Sequence, residues 1–385
     1  MKDFIRIALT GVLSLGKMKN RIVFESNPDL ADNAWPVFKY FLDMGLDSRY
    51  ELCWLVGDKA RYEGMFPGRN VSFVEYDAKS KVSRLGAASV LLHSKCVVFC
   101  NKTVWSPRPG QLSLFLGHGS PIKTCRGIYT PGGFCNRWTY TAESLKDIMI
   151  RELGLDPNQG ELLGFPRNDA LLEPFGALDR VIDRKGRKVI FWLPTFRRHK
   201  VESGCNYELP GCGLPLLGEE GALLRLNEAL QKNNVMIVLK PHPVQDMSAV
   251  HAADMSNFCL IDDEMLQKAN VRLYEALADA DALMTDYSSV YYDYLITGKP
   301  IALTFDDLEK YSGSRGFVFE DIKTEILGRT VTDEGELFDF IAELNAGEDK
   351  TACARAMANA RFNHYSGGST KAVADYILNF LSKDK

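Results

Sequence analysis

The chain is short of the features that mark several function classes. No segment reaches the roughly 18–20 consecutive apolar residues that a helix needs to cross a bilayer. The nine cysteines are scattered through 385 residues, and none forms a CxxC pair. That excludes a zinc ribbon, and the odd, unpatterned set suits reduced thiols in a cytosolic protein. A formal net charge of −4 offers no global attraction to nucleic acid, so none is expected as a partner. Neither a Walker A pattern nor a GxGxxG occurs, which removes the main support for a P-loop hydrolase or a dinucleotide oxidoreductase. No repeat or low-complexity tract is present. No carboxylate cluster demands a metal, no cofactor is required, and the six histidines can be weighed one by one.

What the chain does have is alternation. Strand-like runs recur at 21–26, 51–57, 71–76, 96–100, 112–117 and 137–142, with helical patterns such as 34–45 and 80–94 between them. Cys96 and Cys100 flank one such run, CVVFC, and are expected in the core. A second series runs through 188–194, 235–241, 258–262, 282–287 and 300–305, with helical patterns at 221–234 and 272–280. Short apolar strands alternating with helices give a parallel sheet covered on both faces. The charged stretch 173–188 separates the two series. The expectation is an α/β protein of two doubly wound, Rossmann-like domains facing a cleft: 21–175 and 185–365, followed by a C-terminal helix over 366–385.

Residues 1–20 differ in character. Phe4, Ile5, Ala8, Leu9, Val12 and Leu13 recur at helical spacing, with Lys2, Arg6, Lys17, Lys19 and Arg21 around them. This is either a helix packed on the protein's own surface or a basic amphipathic helix resting on anionic lipid.

In doubly wound sheets, ligands bind outside the carboxyl ends of the strands. The unusual residues of this chain fall in those loops. In GHGSPIK, Gly117 and Gly119 strip bulk from both sides of His118 and permit unusual backbone angles. A neutral imidazole there can take a proton from a hydroxyl, and Ser120 and Lys123 can assist with anionic groups. GFPRND ends the first domain. In LKPHP, two prolines stiffen the loop that carries Lys240 and His242. LPTFRRHK brings Thr195 and Arg197 to another strand end, where a guanidinium suits forked contact with phosphate. TDYSS sets Asp286, Ser288 and Ser289 before a helical pattern, a natural anion site. Asp286 would repel phosphate, so it is expected to cap the helix or to fix the loop. Residues 198–216 form a long irregular stretch of the kind often used for binding. Singly, each segment has an ordinary structural reading as a cap, turn or surface loop.

Together, and in this order, the segments resemble one family: the CDP-glycerol glycerophosphotransferases of teichoic-acid synthesis and their ribitolphosphotransferase relatives. The matching elements are His118-Gly119-Ser120-Pro121, Gly164 with Pro166 to Asp169, Pro194-Thr195-Phe196-Arg197, Lys240-Pro241-His242-Pro243, Thr285 to Ser289 with Pro300, and Tyr311 with Arg315-Gly316-Phe317. The resemblance covers about residues 15–380. It implies the glycosyltransferase B fold and a CDP-glycerol or other CDP-alditol donor held by the C-terminal domain. It also implies a lipid-linked glycan or teichoic-acid acceptor at the N-terminal domain. The protein would then act at the cytoplasmic face of the membrane as a peripheral protein, alone or as a homo-oligomer.

In the implied reaction an acceptor hydroxyl attacks the phosphorus that carries glycerol, and CMP leaves. His118 is the general base. His242, with Lys240, Arg315, Ser288 and Ser289, stabilises charge on the pyrophosphate; Thr195, Arg197, Thr285 and Asp286 complete the donor side. Gly119, Ser120, Lys123, Arg167, Asn168 and Asp169 form the acceptor side, and no metal is assigned. A nucleotide-sugar glycosyltransferase of the same fold and a non-catalytic binding protein are the rival readings.

Overall fold

The computed structural model describes residues 16–76, 80–101, 106–128, 130–197, 205, 207–242, 245, 247–251 and 255–383. Two units divide the chain. One comprises residues 1–120, 129–169 and 364–385; the other comprises 121–128 and 170–363.

The first unit holds seven parallel strands: β1 (Lys19–Glu25), β2 (Glu51–Val56), β3 (Val71–Glu75), β4 (Ser94–Phe99), β5 (Leu112–Phe115), β6 (Arg137–Tyr140) and β7 (Gly160–Leu162). Their order is β3-β2-β1-β4-β5-β6-β7. The central strands are apolar without alternation because helices cover both faces, and the inner residues of β1 and β4 are buried. Helix Ala34–Asp43 packs Val37, Phe38 and Phe41 against Phe24 and Trp54. The C-terminal helix, Ser369–Ser382, joins this same core through Val373, Ala374 and Ile377. It therefore belongs to the N-terminal unit, although a whole unit separates the two in sequence.

The second unit holds β8 (Lys188–Leu193), β9 (Val235–Leu239), β10 (Phe258–Leu260), β11 (Ala282–Thr285), β12 (Ile301–Thr304) and β13 (Arg329–Val331). They are parallel, in the order β10-β9-β8-β11-β12-β13. Both sheets reverse strand order beside their first strand, between β1 and β4 and between β8 and β11. Such a switch point opens a crevice at the strands' carboxyl ends.

Of the basic helix expected over residues 1–20, residues 1–15 lie outside the described residues. The end of that stretch is already sheet: Lys19 begins β1, and Arg21 pairs with Glu51 at 2.8 Å within it. Strands β7 and β13 are additions to the sequence reading. Each is three residues long and lacks an apolar run.

Candidate functional site

In the first unit, the loop after β5 carries His118. Gly117 and Gly119 take φ of 67° and 129°, in the left-handed region that side chains resist, so both glycines are required by the turn. His118 is exposed. Its Nδ1 lies 3.4 Å from the Cys100 carbonyl at the end of β4. An N–H on Nδ1 directed there leaves the lone pair on Nε2, the tautomer a base needs. The loop is fixed from behind by Asn33, whose Nδ2 donates to the Gly117 carbonyl at 2.9 Å. Asn33 Oδ1 accepts from the Arg167 backbone N–H at 3.1 Å, and the Arg167 guanidinium pairs with Asp32 at 2.6 Å. Asp32 and Asn33 escaped the sequence reading. They sit in NPDLADN, which resembles any polar turn, and the only available signal was that it follows β1 at the switch point.

The structure gives three expected acceptor-side residues other work. Ser120 is 1% exposed, with its hydroxyl turned to the Met149 sulfur. The Arg167 charge is neutralised by Asp32 in a buried pair. Asp169 accepts from the backbone N–H groups of Ser369 and Thr370, holding the start of the C-terminal helix. Gly164 serves the same joint: a Cβ there would stand 2.2 Å from Ser369 Oγ. Asn168 remains available. It is 6% exposed, and its Oδ1 has no hydrogen-bond partner among the described residues.

In the second unit the loops after β8 and β11 meet at the switch point. Asp286 is fully buried and receives the Thr195 and Tyr287 backbone N–H groups. It also receives Arg197 Nη1 at 2.7 Å. Arg197 continues to Asp307 through Nε at 2.6 Å and Nη2 at 3.0 Å. The rings of Tyr287 and Tyr311 each stand 4.9 Å from its guanidinium carbon. Burial alone would disfavour this cation, but Asp286 and Asp307 outweigh it and raise the Arg197 pKa. Arg197 is thus the pin of the site, not a phosphate ligand as expected. Thr285 also drops from the donor list: its hydroxyl donates to the Leu193 carbonyl at 2.7 Å and ties β11 to β8. Asp286 fixes the loop, in agreement with its charge.

The anion site expected at a helix end is weaker than its sequence implied. The helix Val290–Tyr294 has five residues before it tightens into a 3₁₀ turn, so its dipole is small. What the loop does offer are the half-buried hydroxyls of Ser288 and Ser289, for which no protein partner is found among the described residues. Thr195 Oγ1 is likewise buried without a partner among them.

His242 follows β9. Its ring stacks on Phe196, with centroids 5.4 Å apart and planes at 20°. Its side chain is exposed, yet its pKa is pushed below the usual 6.5 by desolvation and by the cations Lys123 and Lys240, against Asp263. Lys240 pairs with Asp263 at 2.9 Å. Pro243, Arg198 and His199 lie outside the described residues. Tyr207, from the long loop, donates to Asp307 at 2.5 Å and brings that loop to the site.

Lys123, expected on the acceptor side, lies in the second unit with this group. The chain passes into the second unit at Pro121, and Lys123 forms an antiparallel bridge with Phe317. Arg315 stands at the end of helix Leu308–Ser314, its N–H bonded to the Tyr311 carbonyl at 2.8 Å. Among the described residues, no group of three or more His, Cys, Asp or Glu side chains converges as a metal site.

Two doubly wound units in one chain, each with candidate loops at its switch point, give the Rossmann-like α/β architecture of the glycosyltransferase B fold. A family model described as CDP-Glycerol:Poly(glycerophosphate) glycerophosphotransferase matches residues 7–379, and the chain belongs to that family. It is 28% identical over 268 residues to the teichoic acid glycerol-phosphate primase of Bacillus subtilis, covering 68% of this chain and 61% of the primase. It is 29% identical over 199 residues to a teichoic acid ribitol-phosphate primase of Bacillus spizizenii, covering 51% of this chain and 46% of that protein. The chain thus spans less than two thirds of the length of both relatives. Its fold is similar to that of the wall teichoic acid polymerase TagF, with a TM-score of 0.73 over 100% of this chain and 96% of the other, at 20% identity.

Proposed function

We propose that this protein transfers glycerol phosphate from CDP-glycerol to a hydroxyl of a teichoic-acid or lipid-linked glycan acceptor, releasing CMP. The acceptor oxygen bonds to the phosphorus that carries glycerol. The bond from that phosphorus to the bridging oxygen of CMP breaks, and CMP departs with the electron pair. His118 takes the acceptor's proton at Nε2. His242, Lys240, Arg315 and the hydroxyls of Ser288, Ser289 and Thr195 balance charge on the two phosphates. Gly119 and Asn168 face the acceptor. The acceptor is membrane-bound, and the protein works at the cytoplasmic face as a peripheral protein.

The observation that carries this reading is the pair of histidine loops within a chain matched by the family model over residues 7–379. Glycine conformation and the Asn33 bond support His118 as an ordered base. Proton transfer by a positioned side chain is worth typically 10²–10⁴-fold. The match to a ribitol-phosphate primase keeps CDP-ribitol as the second donor to test.

The test is a donor screen against a crude membrane-lipid acceptor pool, with CDP-glycerol, CDP-ribitol and UDP-sugars. CMP release from CDP-glycerol supports the proposal. CMP from CDP-ribitol alone changes the alditol, and UDP release in place of CMP overturns the reaction.

A further inference from the structure

A strap of the chain, residues 121–128, leaves the N-terminal sequence and becomes part of the second unit. Its anchoring is specific. The Val318 N–H donates to the Ile122 carbonyl at 2.9 Å, and the Thr124 N–H donates to the Gly316 carbonyl at 3.2 Å. The Thr124 hydroxyl donates to the Arg315 carbonyl at 2.5 Å, and Tyr292 donates to the Pro121 carbonyl at 3.3 Å. Ile122 is 1% exposed. Gly316 takes a φ of 77° where the two segments meet.

This pairing decides where Lys123 points. In an antiparallel bridge, paired residues project to the same side. The partner of Lys123 is Phe317, whose ring lies 5.0 Å from Tyr287 and 5.5 Å from Tyr311. Those two rings clasp Arg197. Lys123 is therefore turned toward the strand-end loops of the second unit, within electrostatic reach of Arg315.

The charges around it are already matched. Asp286 and Asp307 are engaged by Arg197, and Asp263 by Lys240. Among the described residues, no carboxylate lies within ion-pair distance of Lys123. Lys123 is half-buried; a partly desolvated ammonium without a counter-charge is costly, and an anionic ligand removes that cost. Its surroundings agree. Desolvation, opposed by Asp286 and Cys205 and reinforced by Arg315 and Arg197, pulls its pKa down to about 8. At neutral pH the cation is present but poorly compensated.

We propose that Lys123 is a direct ligand of the donor's pyrophosphate, delivered by the 121–128 strap to sit beside Arg315. The inference rests on the reading of the chain as a CDP-alditol enzyme, but it assigns Lys123 to the donor rather than the acceptor. The segment from His118 to Lys123 then serves both substrates within six residues.

The test is binding, measured by titration calorimetry with CDP-glycerol and with inorganic pyrophosphate, on the full chain and on Lys123→Met and Lys123→Arg. Loss of one charge-assisted contact corresponds to a weakening of about 10- to 100-fold. That loss is expected for both probes in Lys123→Met, with Lys123→Arg closer to wild type. Removing one half-buried charge is expected to leave the fold intact, which the melting temperature checks. If Lys123→Met loses pyrophosphate affinity while the wild type ignores CDP-glycerol, the anion seat stands and the CDP-alditol reading falls. If Lys123→Met binds both probes as wild type does, or the wild type binds neither, the assignment of Lys123 is overturned.

Discussion

Arg197 and Asp286 stand 89 residues apart in the chain and meet at 2.7 Å, with side chains 3% and 0% exposed. Asp307 closes the other side of the guanidinium at 2.6 Å. This triad locks the loops after β8, β11 and β12 into one piece. Every proposed donor-side group in those loops hangs on it.

Replacing Arg197 by Met leaves two buried carboxylates without their cation. Breaking a buried pair in this way costs about 3–5 kcal/mol. Urea unfolding is expected to show a loss of that size. The pH dependence has a definite sign. Arg197, Tyr207 and Tyr287 outweigh burial and hold Asp307 below the ordinary 3.8. Its stabilisation is full above that value and disappears as pH falls through the lower folded pKa.

Asn33→Ala removes the bond that holds the Gly117 carbonyl and leaves that buried acceptor unsatisfied. The stability cost is about 1–3 kcal/mol. The sharper expectation is kinetic: kcat falls while CDP-glycerol affinity stays at the wild-type level, because the Asn33 side chain bonds to Gly117 and to Arg167 of the first unit and positions the His118 loop. Calorimetry alongside CMP-release kinetics checks the split.

Gly164→Ala places a methyl group 2.2 Å from Ser369 Oγ, at a φ of 73°. Strain of this kind costs about 1–3 kcal/mol before any shift of the helix. The melting temperature is expected to drop. Hydrogen exchange should localise the loosening to Ser369–Ser382, where Asp169 also holds the chain.

His242 is expected to titrate below 6.5 in the ligand-free protein, read from its ring protons by NMR. Desolvation leads that shift, and Lys123 and Lys240 add to it. A neighbouring cation disfavours imidazolium, so Lys123→Met should move the titration upward, and bound pyrophosphate should do the same. An unchanged titration in the variant would show that Lys123 does not face the ring.

Much of the fold was legible because apolar runs such as VIFWL and VMIVL can only be buried strands between helices. Strands β7 and β13 were not, since GEL and RTV gain their strand character from neighbours already in the sheet. His118 and His242 could be picked out by their glycine and proline settings. The role of Arg197 could not, because its partners Asp286 and Asp307 lie 89 and 110 residues away. The side to which Lys123 belongs was hidden for the same reason: the strap pairs with residues 315–318, almost 200 positions further on. Local pattern finds the loops, and long-range pairing decides what each side chain in them is for.

The most direct measurement is CMP release from CDP-glycerol, in the presence of the membrane-lipid acceptor pool, by the wild type, His118→Ala and His242→Ala. Wild-type turnover is expected. Each variant should fall by about 10²–10⁴-fold, with donor binding kept in His118→Ala. Turnover near the wild-type rate in either variant, or no CMP from the wild type, would contradict the assignment of the two imidazoles.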